Sequence, residues 1–309
     1  MQILILSRSE NVHADAVEEY CKKYARVDRI NFDFDTYSQE RLPSILFGEN
    51  KVIRFLAPRA VFVHHPRISY KNEWFTDEIE RKLFVASWDS VKEWMESQFS
   101  NALWVNRPSL NNQSRNVLRQ LKIARELKLK VPETIFTNKL DELRRFADLN
   151  TVIIKQGNLG VHLEKKRILT SLIDVHKIDQ KTLCGCPCLF QKYITKKFEL
   201  RVHVIGNNVL SCKINSQVSE KTRIDWRNYD LENTPHESHT LNSVMNKQCI
   251  ELVKRLGLVF GILDIIVTPQ GDYVFLECNA QGHWTWIEQL TKLPITKTLC
   301  DYLLLSGLE

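Results

Sequence analysis

The sequence predicts an α/β protein, and three patterns point to that class. In the first hundred residues, short apolar runs alternate with amphipathic stretches, as in strands connected by helices. Near the C-terminus, residues 261–267 and 275–280 are apolar, rich in β-branched side chains and separated by the turn 269–272. An amphipathic helix over 245–256, ended by Gly257, precedes these strands. Alternating elements build a mainly parallel sheet with helices on its faces.

The N-terminal elements follow one another closely, and no long linker or repeat separates them. We expect a strand over 2–8, a helix over 11–25, strands over 27–34 and 60–64, and a long amphipathic helix over 76–99. The first apolar run has no basic region before it and turns polar early, which argues against a signal peptide. These features predict a cytoplasmic protein.

The middle of the chain contains a helix and two further strands. Asn106-Arg107-Pro108 ends the first unit, and a cationic helix over 114–130 is broken at Val131-Pro132. A buried strand then closes with Lys155 and is followed by the glycine-containing turn 156–160. A lysine at this place projects its ammonium group into a cleft, where it pairs with the α- and β-phosphates of a nucleotide. The alternative is an ordinary lysine at the end of a strand.

The two C-terminal strands contain the most informative residues. Antiparallel pairing brings Asp264, Glu277 and Asn279 to one face of the sheet, because side chains two apart in a strand point the same way. Oxygen ligands at this density suit Mg²⁺, which binds one or two carboxylates and fills its other positions with phosphate and water. The alternative is a sheet whose acidic side chains are exposed or capping. Apolar neighbours on both sides favour partly buried acids that need a cation.

Composition limits the possible functions. The chain has 309 residues, of which 43% are hydrophobic and 26% charged, as in a globular protein of two or three subdomains. No apolar run approaches the roughly 20 residues needed to span a bilayer. The net charge of +6 is compatible with nucleic acid, but lysine and arginine are scattered without a basic stripe that includes aromatic residues. An acidic peptide together with ATP explains the charge equally well, and we predict no nucleic-acid or membrane partner.

Two clusters contain residue types that commonly bind metals. Cys184, Cys186 and Cys188 form a C-x-C-x-C run that lacks a clear fourth zinc ligand, so we interpret them as reduced thiols. His64 and His65 are adjacent in a strand, so their side chains are expected to point in opposite directions. His64, His65 and Arg67 are more consistent with a surface that faces the substrate.

The metal set, placed after a lysine-bearing strand and a hinge strand, resembles the ATP-grasp pattern. From about residue 100 to the end, the sequence is most similar to the graspetide synthetases, the microviridin-type ATP-grasp ligases that cyclise ribosomal precursor peptides. The segments that carry this resemblance are Leu189–Ile194, Phe198–Val202, Lys213–Gln217, Asp225-Trp226-Arg227 and Glu277–Glu288.

The resemblance implies an ATP-grasp fold with a small N-terminal α/β domain and two α+β subdomains that clasp ATP. The corresponding domains are residues 1–105, 106–190 with Lys155, and 191–309 with the metal and acceptor side. It also implies ATP and Mg²⁺ as cofactors, with two ions expected.

The resemblance assigns roles to individual residues around the nucleotide. Hinge residues that contact the adenine edge are Gln191, Lys192, Tyr193 and Ile194, and Glu199 matches the position that binds the ribose hydroxyls. Arg201 shares the face of Glu199 and is the candidate for the reacting centre, where Lys213 adds a second charge. One position departs from the family pattern. Similar ligases carry a phosphate-contacting lysine where this chain has Val117.

The peptide side is assigned to Asp225, Trp226 and Arg227, together with His64 and Arg67. We expect Arg227 to hold an acidic residue of the peptide through a bidentate contact, the alternative being a solvated loop arginine. The implied function is an ATP-dependent carboxylate ligase. It would activate Asp or Glu side chains of a precursor peptide, built from a leader and an acidic core, and link them to Thr, Ser or Lys. A homodimer is possible.

Two other functions stay open from the sequence. The first is an amino-acid ligase of the glutathione-synthetase or ribosomal-protein-modifying type, which would share every nucleotide-binding residue. The second is a non-catalytic nucleotide- or peptide-binding module. Lys155 and the intact metal set argue against this module, and Val117 is the one observation in its favour.

Overall fold

The computed structural model describes residues 1–34, 58–148, 151–155, 170–185 and 187–305. Within these ranges, no helix is both long enough and apolar enough to cross a membrane. The glycine-containing turn predicted at 156–160 lies outside the described residues.

The N-terminal region forms a four-stranded parallel sheet in the order β2-β1-β4-β6, and β3 pairs with β5 beside it. Its elements are β1 (Gln2–Ser7), α1 (Val12–Cys21), β2 (Arg26–Asn31), β3 (Asp33–Phe34), β4 (Ala60–Val63), β5 (Ser69–Tyr70), α2 (Glu78–Gln98) and β6 (Leu103–Val105). Strands β1 and β4 are almost entirely buried, as expected for the central strands of a parallel sheet with both faces covered. This region is the parallel α/β unit that the sequence predicts.

Two short helices connect this sheet to the next one. They are α3 (Pro108–Ser114) and α4 (Val117–Glu126), and they replace the single helix predicted over 114–130. The side chain of Asn116 accepts a hydrogen bond from the Arg119 amide at 3.0 Å and thereby starts α4 as a separate helix. Lys128 adopts a left-handed backbone with φ 62° just after α4 ends.

The central region forms a second, antiparallel sheet in the order β7-β10-β8-β9. Its elements are β7 (Thr134–Thr137), α5 (Leu140–Ala147), β8 (Val152–Lys155), β9 (Ser171–Leu172), α6 (Gln180–Cys184) and β10 (Cys188–Lys192). The predicted domain boundary at residue 190 falls inside β10. A boundary after Lys192 follows the sheets more closely, and we propose it in place of the predicted one.

The C-terminal region forms a five-stranded antiparallel sheet in the order β13-β12-β11-β14-β15. Its elements are β11 (Phe198–Ile205), β12 (Asn208–Ile214), β13 (His236–His239), α7 (Ser243–Arg255), β14 (Phe260–Val267), β15 (Tyr273–Asn279), α8 (Thr285–Thr291) and α9 (Ile295–Leu305).

The two faces of this C-terminal sheet pack against different partners. On one face, Leu200, Val202 and Leu263 join the core that also contains side chains of α4 and α7. On the other face, Ile205 and Ile262 belong to a core shared with Trp284, α9 and the N-terminal sheet. Alternation along β11 and β14 therefore places Arg201 and Asp264 on the second face.

Candidate active site

The predicted metal ligands converge on the second face of the C-terminal sheet. Asp264 and Glu277 are directly paired across β14 and β15, and Asn279 lies two residues further along β15. The Asn279 amide nitrogen lies 3.2 Å from Asp264 Oδ2 and 3.5 Å from Glu277 Oε1. A β-bulge between Asp264 and Ile265 shifts the register just beyond this point. The three side chains therefore surround one position at the end of the sheet.

These side chains fit a magnesium ion by their chemistry. Two carboxylates and one amide supply oxygen donors, which Mg²⁺ prefers. As assigned, the Asn279 amide nitrogen faces both carboxylates, and an amide flip would present its oxygen at the same place. No group of three His, Cys, Asp or Glu side chains that could hold a metal occurs in the described residues, so Asn279 is needed to complete the set.

A buried ion pair lies directly beside the metal set. Arg201 Nη1 donates to Asp264 Oδ1 at 2.9 Å, and both side chains are less than a tenth exposed. Arg201 Nη2 donates to the His283 carbonyl oxygen at 3.2 Å, and the guanidinium lies 5.0 Å from the centre of the Trp226 ring. Burial raises the pKa of Asp264 to about 6, although Arg201 acts in the opposite direction. A cation therefore already balances the charge of this carboxylate.

A second arginine is tied to the Asp-Trp-Arg segment itself. Arg227 forms a fork with Asp225, with Nε to Oδ1 at 2.9 Å and Nη2 to Oδ2 at 3.0 Å. Its Nη1 lies 3.5 Å from Glu277 Oε1. Although burial opposes it, hydrogen bonding to Arg227 lowers the pKa of Asp225 to about 2. Arg227 is therefore bound to Asp225 of its own chain and is not a fully solvated loop arginine, whereas its bidentate contact to an acidic residue of the peptide stays a prediction.

Lys155 approaches the metal set from the central sheet. It is the last residue of β8 and lines the same cleft as Glu277. Burial tends to raise the pKa of Glu277, but the charges of Lys155 and Arg227 outweigh it and hold that pKa below its usual value. Two cations, one at the end of β8 and one in the loop between β12 and β13, thus favour the ionised form of the Glu277 carboxylate.

The cleft lies between the central and C-terminal sheets. Predicted residues that line it are Lys155, Lys192, Tyr193, Ile194, Glu199, Asp225, Trp226, Arg227, Asp264 and Glu277. Gln191 is fully buried next to it and donates to Thr134 Oγ1 at 3.0 Å. Of the four predicted hinge residues, Gln191 is the one that does not line the cleft.

Glu199 is held by two residues that sequence reasoning missed. Its Oε1 accepts hydrogen bonds from Lys196 Nζ at 2.7 Å and from Ser216 Oγ at 2.8 Å. Lys196 also donates to the Ile224 carbonyl oxygen at 2.9 Å. All three side chains are buried. Lys196 lies three residues before Glu199, but a lysine in that position looks like a surface residue until the fold covers it.

The prediction that Lys213 adds a charge beside Arg201 is wrong. Lys213 pairs with Leu200 across β11 and β12, so it projects from the opposite face of the sheet. There its ammonium group lies 3.4 Å from Glu237 and 5.2 Å from the centre of the Phe198 ring. If the register of β12 on β11 were shifted by one residue, the Lys213 side chain would lie on the same face as Arg201.

The predicted peptide surface near His64 is also corrected. The His64 side chain is 1% exposed and its Nδ1 lies 3.0 Å from the Asn11 amide nitrogen, so it does not face a substrate here. The His64 and His65 rings lie 4.5 Å apart rather than on opposite sides, because His65 leaves the strand with φ 50°. Arg67 is exposed.

Two remaining predictions concern Val117 and the cysteines. Val117 is the first residue of α4 and is buried in the apolar core, so it offers no phosphate contact. Cys188 is the first residue of β10, and Cys186 lies outside the described residues.

Known proteins with a similar structure are ligases, which agrees with the geometry of this site. No family model matches the chain. The structure is similar to an ATP-grasp ligase associated with RiPPs from Chryseobacterium gregarium, in complex with ADP and a leader and core peptide. The two share 27% identity over 98% of this chain and 96% of that one, with a TM-score of 0.85. It is also similar to the macrocyclase MdnC from Microcystis aeruginosa, bound with precursor peptide MdnA, at 25% identity over 98% and 99% of the chains and a TM-score of 0.80.

More distant relatives share the fold or part of the chain. D-alanine–D-alanine ligase from Bacillus anthracis has a TM-score of 0.58 at 16% identity over 100% and 97% of the chains. A probable alpha-L-glutamate ligase from Shewanella is 26% identical over 200 residues, which are 62% of this chain and 63% of that protein. The match thus spans less than two thirds of that relative. The predicted ATP-grasp fold and the resemblance to the peptide-cyclising branch are confirmed.

Proposed function

Because the chain has the fold of the RiPP-associated ATP-grasp ligases, we propose that it is an ATP-dependent peptide macrocyclase. It activates Asp or Glu side chains of a ribosomal precursor peptide as acyl phosphates and joins them to Thr or Ser as esters, or to Lys as amides. The observation that carries this proposal is one cleft lined by Lys155, by the metal-set carboxylates Asp264 and Glu277, and by the Asp225–Arg227 fork. Similarity along nearly the whole chain to a ligase with bound leader and core peptide supports it.

ATP occupies the cleft between the central and C-terminal sheets in this proposal. The adenine ring lies against the hinge at Lys192–Ile194, and the ribose hydroxyls bond to Glu199, which Lys196 and Ser216 hold in place. Lys155 pairs with the phosphates, since its charge lies at the inner end of the cleft beside Glu277.

Asp264, Glu277 and Asn279 hold Mg²⁺, with two ions expected. Bound there, the metal supplies neutralisation of phosphate charge. The chain itself orients the carboxylates, since Arg201 holds Asp264 and Arg227 lies beside Glu277. Each arginine favours the charged form of the carboxylate beside it, and both carboxylates are directed to the same position.

The reaction has two steps in one cleft. An oxygen of the substrate carboxylate attacks the γ-phosphorus of ATP, and the bond to ADP breaks. The acceptor oxygen or nitrogen then attacks the acyl carbon, phosphate leaves with the electron pair of the broken C–O bond, and the acceptor proton passes to solvent or phosphate. Arg201, buried next to the metal set, is the cation placed to orient the carboxylate or acyl phosphate.

The partner is a precursor peptide with a leader and an acidic core. Arg67 is exposed on the N-terminal domain and is a candidate contact for it. The cytoplasmic location, the homodimer and the absence of a nucleic-acid partner stay predictions.

The test is co-expression with a candidate precursor encoded by a short acidic reading frame beside the gene. Mass spectrometry should detect one water lost for each ring formed, and Glu277→Ala should abolish that loss. ADP formation that does not depend on any acidic peptide, with every peptide mass unchanged, would contradict the macrocyclase assignment.

A second candidate function is addition of glutamate to a peptide or protein. The partial match to probable alpha-L-glutamate ligases favours it. The same mass spectrometry separates the two functions, because this reaction adds the mass of a glutamate residue whereas ring closure removes water.

A further inference from the structure

The strand that carries Glu277 and Asn279 is an edge strand. β15 has β14 on one side, and no strand of the described chain pairs with its other side. Near its start, Phe275 N–H is met by the Lys130 carbonyl oxygen at 2.8 Å. Further along β15, the N–H and C=O groups of Cys278 point to this unpaired side. Cys278 lies between the two predicted ligands, Glu277 and Asn279. A backbone N–H or C=O group that is buried without a hydrogen-bond partner destabilises the fold, so both groups of Cys278 need partners.

A glutamine side chain takes the place of the absent neighbouring strand. The Oε1 atom of Gln120 accepts from Cys278 N–H at 2.8 Å, and its Nε2 donates to the Cys278 carbonyl oxygen at 2.9 Å. This is the pair of bonds that an adjacent strand would make with one residue. The Gln120 side chain is 1% exposed, and Nε2 also donates to the Ser114 carbonyl oxygen at 2.6 Å. The Gln120 side-chain amide is therefore fixed by its own helix, α4, and by the last residue of α3.

The two hydrogen bonds between Gln120 and Cys278 form a clamp, and Cys278 lies between the two metal-ligand positions. The Cys278 side chain is buried in the core shared with α4 and α7. Alternation along the strand then directs Glu277 and Asn279 to the other face. Fixing both polar groups of Cys278 restricts rotation of the peptide units on either side of it. Those peptide units are the ones that aim Glu277 and Asn279.

A second amide holds the residue after Asn279. Asn106 Nδ2 donates to the Ala280 carbonyl oxygen at 3.2 Å and to the Phe260 carbonyl oxygen at 2.8 Å. Its Oδ1 accepts from the Phe260 amide at 3.0 Å. Asn106 is also buried, so the backbone is held on both sides of Asn279 by side chains from outside the sheet.

We propose that Gln120 is a positioning residue for the metal ligands, acting through the Cys278 backbone. The proposal rests on the proposed metal role of Glu277 and Asn279. Without the clamp, the end of this edge strand can fray. Binding a metal ion would then have to order the strand end, at a cost in conformational entropy, before the two ligands converge. Partners that orient metal ligands typically change metal affinity by roughly 10- to 100-fold when they are removed.

The experiment measures metal binding on the full chain without substrate peptide. Isothermal titration of ADP at several Mg²⁺ concentrations gives the apparent Mg²⁺ affinity of wild type, Gln120→Met and Gln120→Glu. Gln120→Met keeps the length of the side chain and removes all three hydrogen bonds. Gln120→Glu keeps the shape but places a carboxylate against two carbonyl oxygens. Thermal unfolding is recorded for each protein.

The matched control is Gln248→Met. Gln248 Nε2 donates to the Leu127 carbonyl oxygen at 2.9 Å and so holds the C-terminal end of the same helix, α4, while its side chain makes no hydrogen bond to β15 within the described residues. We expect Mg²⁺ affinity to fall by roughly tenfold or more in both Gln120 variants and to stay at the wild-type value in Gln248→Met.

Two outcomes contradict the proposal, and they differ from failure of the proposed function. If the Gln120 variants unfold at lower temperature but keep wild-type Mg²⁺ affinity, the residue is structural only. If Gln248→Met loses affinity equally, the effect comes from packing of α4. Wild-type protein that binds ADP without any Mg²⁺ dependence would instead refute the metal assignment itself, and the positioning role with it.

Discussion

Arg201 and Asp264 form a buried ion pair whose carboxylate is also the central predicted metal ligand. The Nη1–Oδ1 distance is 2.9 Å, and the other carboxylate oxygen, Oδ2, lies 3.2 Å from the Asn279 amide nitrogen. Breaking such a pair from one side leaves an uncompensated buried charge, which is strongly destabilising. Arg201 therefore has both a structural and a chemical role, so its variants must be assayed for folding as well as activity.

The first prediction concerns the metal. Glu277→Ala or Asn279→Ala should remove Mg²⁺-dependent ADP formation while the protein still folds, because these side chains are partly exposed at the cleft and not part of the apolar core. Activity and thermal unfolding are measured in parallel. Wild-type turnover in both variants would refute the metal assignment.

The second prediction concerns the nucleotide. Lys155→Ala should weaken ATP binding by about 1.5–3 kcal/mol, or roughly 10- to 150-fold, because one charge-assisted contact to phosphate is lost. Peptide binding should change less. Lys177→Ala is the control, since Lys177 is an exposed lysine of the central region that pairs with Asp174 at 3.3 Å and does not line the cleft. Loss of peptide affinity with unchanged ATP affinity would assign Lys155 to the substrate.

The third prediction concerns Arg227. Arg227→Lys keeps the positive charge but cannot reproduce the fork to Asp225, so the charge beside Glu277 is no longer fixed. Ring formation in the precursor should fall sharply, measured as water loss by mass spectrometry, and Arg201→Lys should have a similar effect. Unchanged dehydration in both variants would contradict a role of either arginine in ring formation.

The fourth prediction tests the corrected position of Lys213. Lys213→Ala should leave ring formation and ATP turnover essentially unchanged, because the ammonium group lies on the opposite face of the sheet from Arg201. Its pair with exposed Glu237 should contribute only about 0–1 kcal/mol to the free energy of unfolding. A large loss of turnover in a folded variant would mean that the sheet register is wrong.

The fifth prediction concerns pH and His13. Burial, together with the neighbouring charges of His283, His65 and Arg201, lowers the pKa of His13 from 6.5 to about 3. The unfolded chain therefore binds a proton that the folded chain does not, and stability falls as the pH drops below about 6.5. At about pH 5 this costs roughly 2 kcal/mol for one such histidine.

His13→Phe should remove that share of the pH dependence. The measurement is the free energy of unfolding at about pH 5 and about pH 7.5, and the difference between them should shrink by roughly 2 kcal/mol in the variant. Comparing the difference, not the absolute stability, cancels any change in packing. An equal difference in both proteins would mean that His13 is protonated in the folded state.

Local patterns in the sequence determined the fold class and the set of candidate ligands. Apolar runs with β-branched residues around Asp264 and Glu277 define two adjacent strands, and a period of two then fixes a shared face. Lys155 was placed correctly at the end of a strand for the same reason. These inferences depend only on neighbours in the chain.

Contacts between distant residues decided the rest, because no local pattern encodes them. The register of β11 on β12 sends Lys213 to one face and Arg201 to the other, and a shift of one residue would reverse this. Arg227 meets Glu277 across 50 positions of sequence, and Gln120 meets Cys278 across 158. The residue types of the site can therefore be predicted from the sequence. Which of them are free to bind a ligand is decided by tertiary packing, which satisfies some polar groups internally and leaves others facing the cleft.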